Sequence, residues 1–372
     1  MLMRTLTWCI VVTVLSSVVD CVAADKQESQ AATVRSLLLT RTIPLPGVDG
    51  PVDKSGVRGR VDHLAYDTAT KHLFVACIAN GSLEVVDLDS GKRIRSIGGL
   101  KKPQGVVIMN RLGLAAVSTG GDGVLRFFDT GSFQEKASPP VGEDADNVRI
   151  APNGRIYVGF GGDEGAGGLA EFDPAKLTRT GTIRLPRRPE SFHFDPSGVC
   201  VFVNHPGQKR GKADGTVVAV ELPSGKIQWS SRLRGIARNF PMALDSANHR
   251  IFIGSRLPPK LIMLDDRNGA KLAETPCPPD CDDVFFDSRA RCILVIGGGN
   301  SANGAGGNGG DGAGSALALF AVDSRGSLER ISTIPLPPHA RTGLFVPERQ
   351  AVYVAVPPLS PPSCEIREYK WP

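Results

Sequence analysis

The sequence predicts an all-β fold, a seven-bladed β-propeller with four antiparallel strands in each blade. Three observations support this prediction. A strand–turn–strand pattern recurs seven times, each copy supplies short apolar runs for further strands, and no amphipathic stretch of helical length follows residue 24. The 43 Gly and 28 Pro among 372 residues are typical of many short strands joined by turns.

The stretch 72–92 shows the repeating unit most clearly. An apolar run at 73–77 is followed by Asn80-Gly81 and by a second apolar run at 83–88, and 89–92 forms another glycine-containing turn. Two β-branched runs separated by Asn-Gly indicate a hairpin. The same pattern recurs along the whole chain, so this unit predicts a repeat protein built from similar antiparallel sheets.

The first strands of the seven copies begin mostly at polar residues. These leading residues are Asp62, Gln104, Asp146, Glu190, Phe240, Asp282 and Arg341. Successive copies are separated by 42, 42, 44, 50, 42 and 59 residues. Four strands in about 42 residues are typical of a propeller blade.

The two ends of the repeat array are complementary. The seventh copy stops at residue 372 after three strands, whereas the segment 36–46 resembles the fourth strand of the sixth copy at 331–337. We therefore expect the N-terminal strand to complete the last blade, because closure leaves no free sheet edge. This predicts a single propeller domain over residues 36–372.

The repeats resemble the YVTN-type repeats of YncE-like seven-bladed propellers. The resemblance rests on VVDLDSGK at 85–92 before IRSIGG, and on FDPSG at 194–198 before VCVFVN. It covers about residues 36–372, and the Gly-rich segment 297–314 and the weak second and seventh copies depart from it. It implies the propeller fold and, since such proteins are mostly binding proteins, a binding function without a shared catalytic set.

Residues 1–24 read as a signal peptide. Arg4 precedes an apolar run at 8–19, and Val22-Ala23-Ala24 offers the small residues that a signal peptidase requires. Lipidation at Cys21 is disfavoured because Asp20 stands where a small residue is needed. We therefore expect a polar linker at 25–35 and a periplasmic or secreted protein that is not integral to the membrane.

Six of the eight cysteines follow the predicted leader. Cys277 and Cys281 are the one close pair, and export permits disulfides, so we favour a bridge between them over two free thiols. Cys77, Cys200 and Cys292 lie in apolar strands, where free cysteines behave as small hydrophobic residues.

The loops predict which rim carries the function. Strands one and two, and strands three and four, are joined by tight turns that share one rim. The opposite rim carries long connections at 161–168, 204–215, 297–315 and 357–363. Long loops on a rigid scaffold often bind partners, although 297–314 is better explained as a flexible Gly-rich insertion.

The leading residues begin on the long-loop rim, so a propeller brings them around one central channel. With their neighbours and the basic residues behind them, they form the predicted binding site: Asp62, His63, Asp146, Asn147, Glu190, Asn239, Asp282, Arg341, Arg187, Arg188 and Arg234. Such a channel mouth suits a cation, an anionic ligand or a docking partner. The plainer alternative is solvated loop charge with structural hydrogen bonds at strand ends.

Catalytic motifs are scarce, because the sequence contains no GxSxG, HExxH or P-loop pattern. We therefore predict a monomeric, non-catalytic module that binds a protein, a peptide or a small anionic ligand. Nucleic acid is disfavoured because the net charge of +5 comes without a dense basic run. No cofactor is predicted.

The alternative is a lactonase-like hydrolase, with calcium as its candidate ion. The resemblance to lactone-handling propellers implies carboxylates gathered at the channel, with His63 as the base and Arg341 as the charge stabiliser. His193 lies inside a first strand, where a histidine is more often a core residue than a ligand.

Overall fold

The computed structural model describes residues 36–51, 58–162, 165–207, 214–299, 314–323, 325–358 and 363–372. The predicted leader at 1–24, the linker at 25–35, the basic loop 208–212 and most of the Gly-rich segment 297–314 lie outside these residues. Among the described residues, no helix is long and apolar enough to cross a membrane.

Seven sheets of four antiparallel strands each form the described chain, as predicted. Blade 1 consists of β2 (Leu64–Tyr66), β3 (His72–Cys77), β4 (Ser82–Asp87) and β5 (Lys92–Ile97). Blade 2 consists of β6 (Pro103–Met109), β7 (Leu114–Thr119), β8 (Val124–Asp129) and β9 (Glu135–Ala137). Blade 3 consists of β10 (Val148–Ile150), β11 (Ile156–Gly161), β12 (Gly167–Asp173) and β13 (Thr178–Leu185).

The next three blades repeat this order along the chain. Blade 4 consists of β14 (Phe192–Phe194), β15 (Cys200–His205), β16 (Gly215–Glu221) and β17 (Ile227–Leu233). Blade 5 consists of β18 (Ala237–Asp245), β19 (Arg250–Leu257), β20 (Pro259–Asp265) and β21 (Lys271–Pro276). Blade 6 consists of β22 (Cys281–Asp287), β23 (Cys292–Gly297), β24 (Ala316–Val322) and β25 (Leu328–Pro335).

Blade 7 closes the ring with strands from both ends of the domain. It consists of β26 (Thr342–Val346), β27 (Ala351–Val356), β28 (Cys364–Lys370) and β1 (Leu38–Leu45). Ile43 faces Ile366 in an antiparallel register, and Ile43 and Leu45 are fully buried. The predicted closure is confirmed, because β1 covers the edge that β28 would otherwise expose.

The core lies between neighbouring blades. Strand β3 is almost entirely buried, whereas β5, the outer strand of the same blade, is mostly exposed. One core cluster joins Phe74 and Val85 of blade 1 to Val117 and Phe128 of blade 2. The inner strands are covered on both faces, which explains why they read as continuous apolar runs rather than as an alternating pattern.

A β-bulge opens the first strand of several blades. In blade 1 the Asp62 N–H donates to the Ala76 carbonyl at 2.8 Å, and the Ala76 N–H donates to the His63 carbonyl at 3.0 Å. Asp62 and His63 on the first strand therefore lie opposite the single residue Ala76 on the second, and this bulge changes the direction of the side chains beside it. The same pattern sets Asp146 and Asn147 against Gly159, and Glu190 and Ser191 against Asn204. Register shifts occur at the corresponding place in blades 2, 5 and 6.

The favoured bridge between Cys277 and Cys281 is wrong, because the structure has both as free thiols. Both are buried in the core between blades 5 and 6, and neither is in a disulfide. Burial raises the pKa of the Cys281 thiol, which keeps it protonated, and Cys277 contributes to the rise through a hydrogen bond. The expected burial of Cys77 and Cys292 is observed, whereas Cys200 is half-buried.

Candidate binding site in the central channel

The central channel contains a cavity of about 1450 Å³. All seven leading residues line it: Asp62, Gln104, Asp146, Glu190, Phe240, Asp282 and Arg341. We call this set the mouth ring. The residue after the leading one also lines the cavity in every blade except blade 2, and in blades 1, 3 and 4 hydrogen bonds place that residue in a bulge.

One side of the mouth gathers three carboxylates around a single guanidinium. Arg188 Nη2 lies 3.0 Å from Asp144 Oδ2, 2.9 Å from Asp146 Oδ2 and 3.6 Å from Glu190 Oε2. Lys102 reaches Asp144 from the more exposed edge of the group. We call Arg188, Asp144, Asp146 and Glu190 the Arg188 cluster.

The other side balances two guanidinium groups with two carboxylates. Arg341 donates to Asp280 Oδ2 at 2.6 Å, and its Nε lies 2.8 Å from Asp282 Oδ2. Arg256 Nε lies 3.1 Å from Asp280 Oδ1, and Arg256 Nη2 contacts Asp282. Arg256 also stacks over the Phe240 ring at 4.4 Å. These four charged residues, Arg256, Arg341, Asp280 and Asp282, form the paired-arginine cluster.

The two clusters shift carboxyl pKa values in opposite directions. Burial, followed by repulsion from Asp146, raises the pKa of Glu190 to about 8. Burial and the neighbouring Asp62 also raise the pKa of Asp146. In contrast, Arg256 and Arg341 hold the pKa of Asp282 well below its usual range, against the effect of its burial.

A second ring lies deeper in the channel, three residues along each first strand. We call it the inner ring, and it consists of Ala65, Val107, Arg149, His193, Ala243, Phe285 and Leu344, all of which line the cavity. Arg149 and His193 also line a smaller hollow of about 250 Å³. Burial, with Arg149 nearby, lowers the pKa of His193 to about 3, so this imidazole is neutral. The interpretation of His193 as a core residue is therefore corrected: it forms part of the channel wall.

The structure places most of the predicted site residues around this cavity. Those that line it are Asp62, His63, Asp146, Asn147, Glu190, Asp282, Arg341, Arg187 and Arg188. Arg187 donates to the Pro206 carbonyl at 2.9 Å and to the Asp214 carbonyl at 3.3 Å.

Two of the predicted site residues lie elsewhere. Asn239 is fully buried outside the cavity lining, and its side chain bonds the Gly207 N–H at 3.0 Å and also contacts Asn204. Its carboxamide is therefore used to hold the neighbouring connection. Arg234 is exposed on the rim and does not line the cavity.

Sequence reasoning named Arg188 but did not recognise that it belongs to an outer set of charged positions, two residues before each member of the mouth ring. Every copy has a basic or acidic residue there: Arg60, Lys102, Asp144, Arg188, Arg238, Asp280 and His339. The backbone at Lys102, Asp144, Arg238, Asp280 and His339 has positive φ values of 47–65°. Extending the alignment of the copies by two residues would have found this set, whereas Arg256, at the end of an apolar strand, has no such signal.

Metal binding was part of the hydrolase alternative. Within the described ranges, no group of three His, Cys, Asp or Glu side chains is arranged to hold a metal ion. The mouth carboxylates of both clusters instead contact guanidinium groups.

Comparisons with known proteins identify the fold. The chain is similar to a chain of a mitotic checkpoint complex crystal structure, with a TM-score of 0.69, 11% identity and coverage of 99% of this chain and 98% of the other. It is also similar to a chain of Kuenenia stuttgartiensis hydrazine synthase, with a TM-score of 0.65, 13% identity and coverage of 79% and 92%. No family model matches the sequence. No curated protein matches it either. At these identities the likeness establishes a seven-bladed β-propeller and nothing finer.

Proposed function

We propose that this protein is an exported, YncE-like propeller that acts as a non-catalytic binding module and takes an anionic ligand into its central channel. The observation that carries the proposal is the charge of the cavity wall. Eight Arg and Lys residues line the cavity against six Asp and Glu residues, an excess of two positive charges. A concave, net cationic surface concentrates anions.

Protonation enlarges this excess. The pKa values of Asp146, Glu190 and Asp283 are all raised, with burial as the largest cause in each case. Each protonated carboxyl removes one negative charge from the wall and gains an O–H donor. The cavity therefore becomes more receptive to an anion as the pH falls toward neutrality.

Citrate is a suitable anionic probe, with glycerol as the uncharged comparison. A ligand that binds only the folded state raises the melting temperature by mass action, so citrate should raise the Tm and glycerol at the same concentration should raise it less. Charge reversal of Lys102 and Arg187 to Glu should weaken citrate binding by about tenfold each, which is about 1.4 kcal/mol.

Arg234→Glu is the matched control, because it makes the same charge change on the same rim outside the cavity. It should leave citrate binding nearly unchanged at moderate ionic strength, where distant charges are screened. Equal losses in all three variants would instead favour docking of a protein or peptide on the rim.

The hydrolase alternative has one specific observation in its favour. A carboxyl such as Glu190, with a pKa near 8 in a largely buried cavity, has the properties of a general acid or base at neutral pH. The test is hydrolysis of a γ-lactone by the wild-type protein and by Glu190→Gln, with and without added calcium. Turnover that Glu190→Gln abolishes would replace the binding proposal with this one.

A further inference from the structure

The inner ring combines one unbalanced cation with an apolar wall. Five of its seven residues are apolar: Ala65, Val107, Ala243, Phe285 and Leu344. His193 is neutral, so Arg149 is the charged member of the ring. The ring therefore combines one positive charge with five apolar side chains and a neutral imidazole, whereas the mouth ring contains several ion pairs.

Arg149 differs from the arginines of the mouth in its partners. Its Nη1 donates to the carbonyl of the adjacent Val148 at 2.8 Å, and among the described residues no carboxylate oxygen lies within 4.0 Å of its guanidinium. Asp283 and Asp146 are the acidic groups that act on it, both from beyond that distance. Asp283 accepts a hydrogen bond from the Gly343 N–H at 2.7 Å instead.

Arg149 is half-buried in the channel wall. Desolvating a cation without a counterion costs free energy, so the fold gains nothing from this arrangement by itself. A ligand that brings its own negative charge removes the cost. The cavity gives such a ligand access to Arg149 from the mouth, and the smaller hollow reaches it on the other side.

We infer that Arg149 anchors the carboxylate of a ligand with an apolar body, with Phe285 and Leu344 in the surrounding wall. The planar guanidinium presents parallel N–H donors that match both oxygens of a carboxylate. Phe285 and Leu344 line the same cavity from blades 6 and 7, on the far side of the ring, where they favour a hydrocarbon or aromatic body over a second charge. This inference rests on the proposed anionic-ligand function, for which it names a ligand class and a second contact point.

Benzoate and benzamide form a matched pair of probes, because they share a ring and differ in charge. Benzoate should raise the Tm of the purified protein, and benzamide should not. Arg149→Met should weaken benzoate binding at least tenfold in calorimetry, while Arg184→Met, an exposed position on the outer strand of the same blade, should retain it. Arg149→Lys should give an intermediate affinity, since it keeps the charge and loses the two-donor geometry.

The ligand-free proteins separate a binding role from a structural one. Without ligand, Arg149→Met should melt at or above the wild-type temperature, because the variant removes an uncompensated cation. A clearly lower Tm would show that Arg149 supports the fold, and unchanged benzoate affinity would show that it is not the anchor. Either result overturns the inference.

The experiment also separates this inference from the wider proposal. A wild-type protein that binds citrate through Lys102 and Arg187 but ignores benzoate overturns the inner-ring anchor alone. A wild-type protein that binds neither probe overturns both.

Discussion

The two charged clusters at the channel mouth use the same side chains in different proportions. The Arg188 cluster has one guanidinium for three carboxylates, whereas the paired-arginine cluster has two for two. Both are largely buried on equivalent parts of the repeat. Glu190 consequently has a pKa near 8, while the pKa of Asp282 lies well below its usual range.

Because both carboxyls are buried, the comparison shows that the ratio of neighbouring charges decides which of them has a raised pKa and which a lowered one. Burial disfavours the ionised carboxylate on both sides. Two arginines overcome that penalty at Asp282, but one arginine shared among three acids does not overcome it at Glu190. Asp282 is therefore ionised at neutral pH, whereas Glu190 titrates near pH 8.

The largest expected effect comes from unbalancing the paired-arginine cluster. Arg256→Met would leave Asp280 and Asp282 with one guanidinium between them, and we expect a loss of about 3–5 kcal/mol in the free energy of unfolding. Chemical denaturation measures the loss. Arg267→Met is the control, because Arg267 pairs with Asp265 while 64% of its side chain stays exposed, and should cost less than about 1 kcal/mol. Equal losses in the two variants would contradict the assigned role of the cluster.

The pH dependence of stability should come from the Arg188 cluster. The pKa of Glu190 rises from 4.5 to about 8 on folding, so the folded state holds the proton more tightly than the unfolded state. The free energy of unfolding should therefore fall as the pH rises through this window, by at most about 1.4 kcal/mol per pH unit. Unfolding curves at pH 5, 6, 7 and 8 should show the slope in the wild type and a flatter profile in Glu190→Gln.

Asp282→Asn provides the opposing case. Because the pKa of Asp282 is lowered on folding, its contribution is present above the unfolded pKa and is lost only under strongly acidic conditions. The variant should thus be less stable by a similar amount at pH 6 and pH 8. A slope that disappears in Asp282→Asn and persists in Glu190→Gln would reverse the comparison.

The smallest effect is expected where the Arg188 cluster meets solvent. Lys102 pairs with Asp144, but 45% of its side chain is exposed. Lys102→Met should therefore cost less than about 1 kcal/mol, and the cost should vanish in about 1 M salt, where exposed pairs are screened. A larger loss that salt does not reduce would place Lys102 inside the buried cluster.

The repeat made the blades and their closure predictable. Turn residues such as Asn80-Gly81 mark strand ends locally, and the likeness of 36–46 to 331–337 identifies the missing strand without any tertiary information. Alignment of the leading residues likewise predicted that distant carboxylates surround one channel.

The other features of the site depend on tertiary contacts, which the order of residues along the chain does not reveal. The bulge at Asp62 and His63 becomes visible only through its hydrogen bonds to Ala76. Asn239 has the polarity of a ligand-binding residue, yet its carboxamide is already hydrogen-bonded to the Gly207 N–H and to the Asn204 side chain. Arg256 enters the mouth from the end of a second strand, because packing against Phe240 and blade 6 directs it there.

The pairing of β1 with β28 also determines when the fold becomes complete. Thr40 on β1 hydrogen-bonds Glu368 on β28 at 3.0 Å, across a separation of 328 residues. The first strand of the domain to leave the ribosome therefore cannot pair until the last strand has been synthesised. During that time its backbone N–H and C=O groups can pair with strands of other chains. Earlier blades have their strands contiguous in sequence, but the ring loses its last open edge only after synthesis of β28.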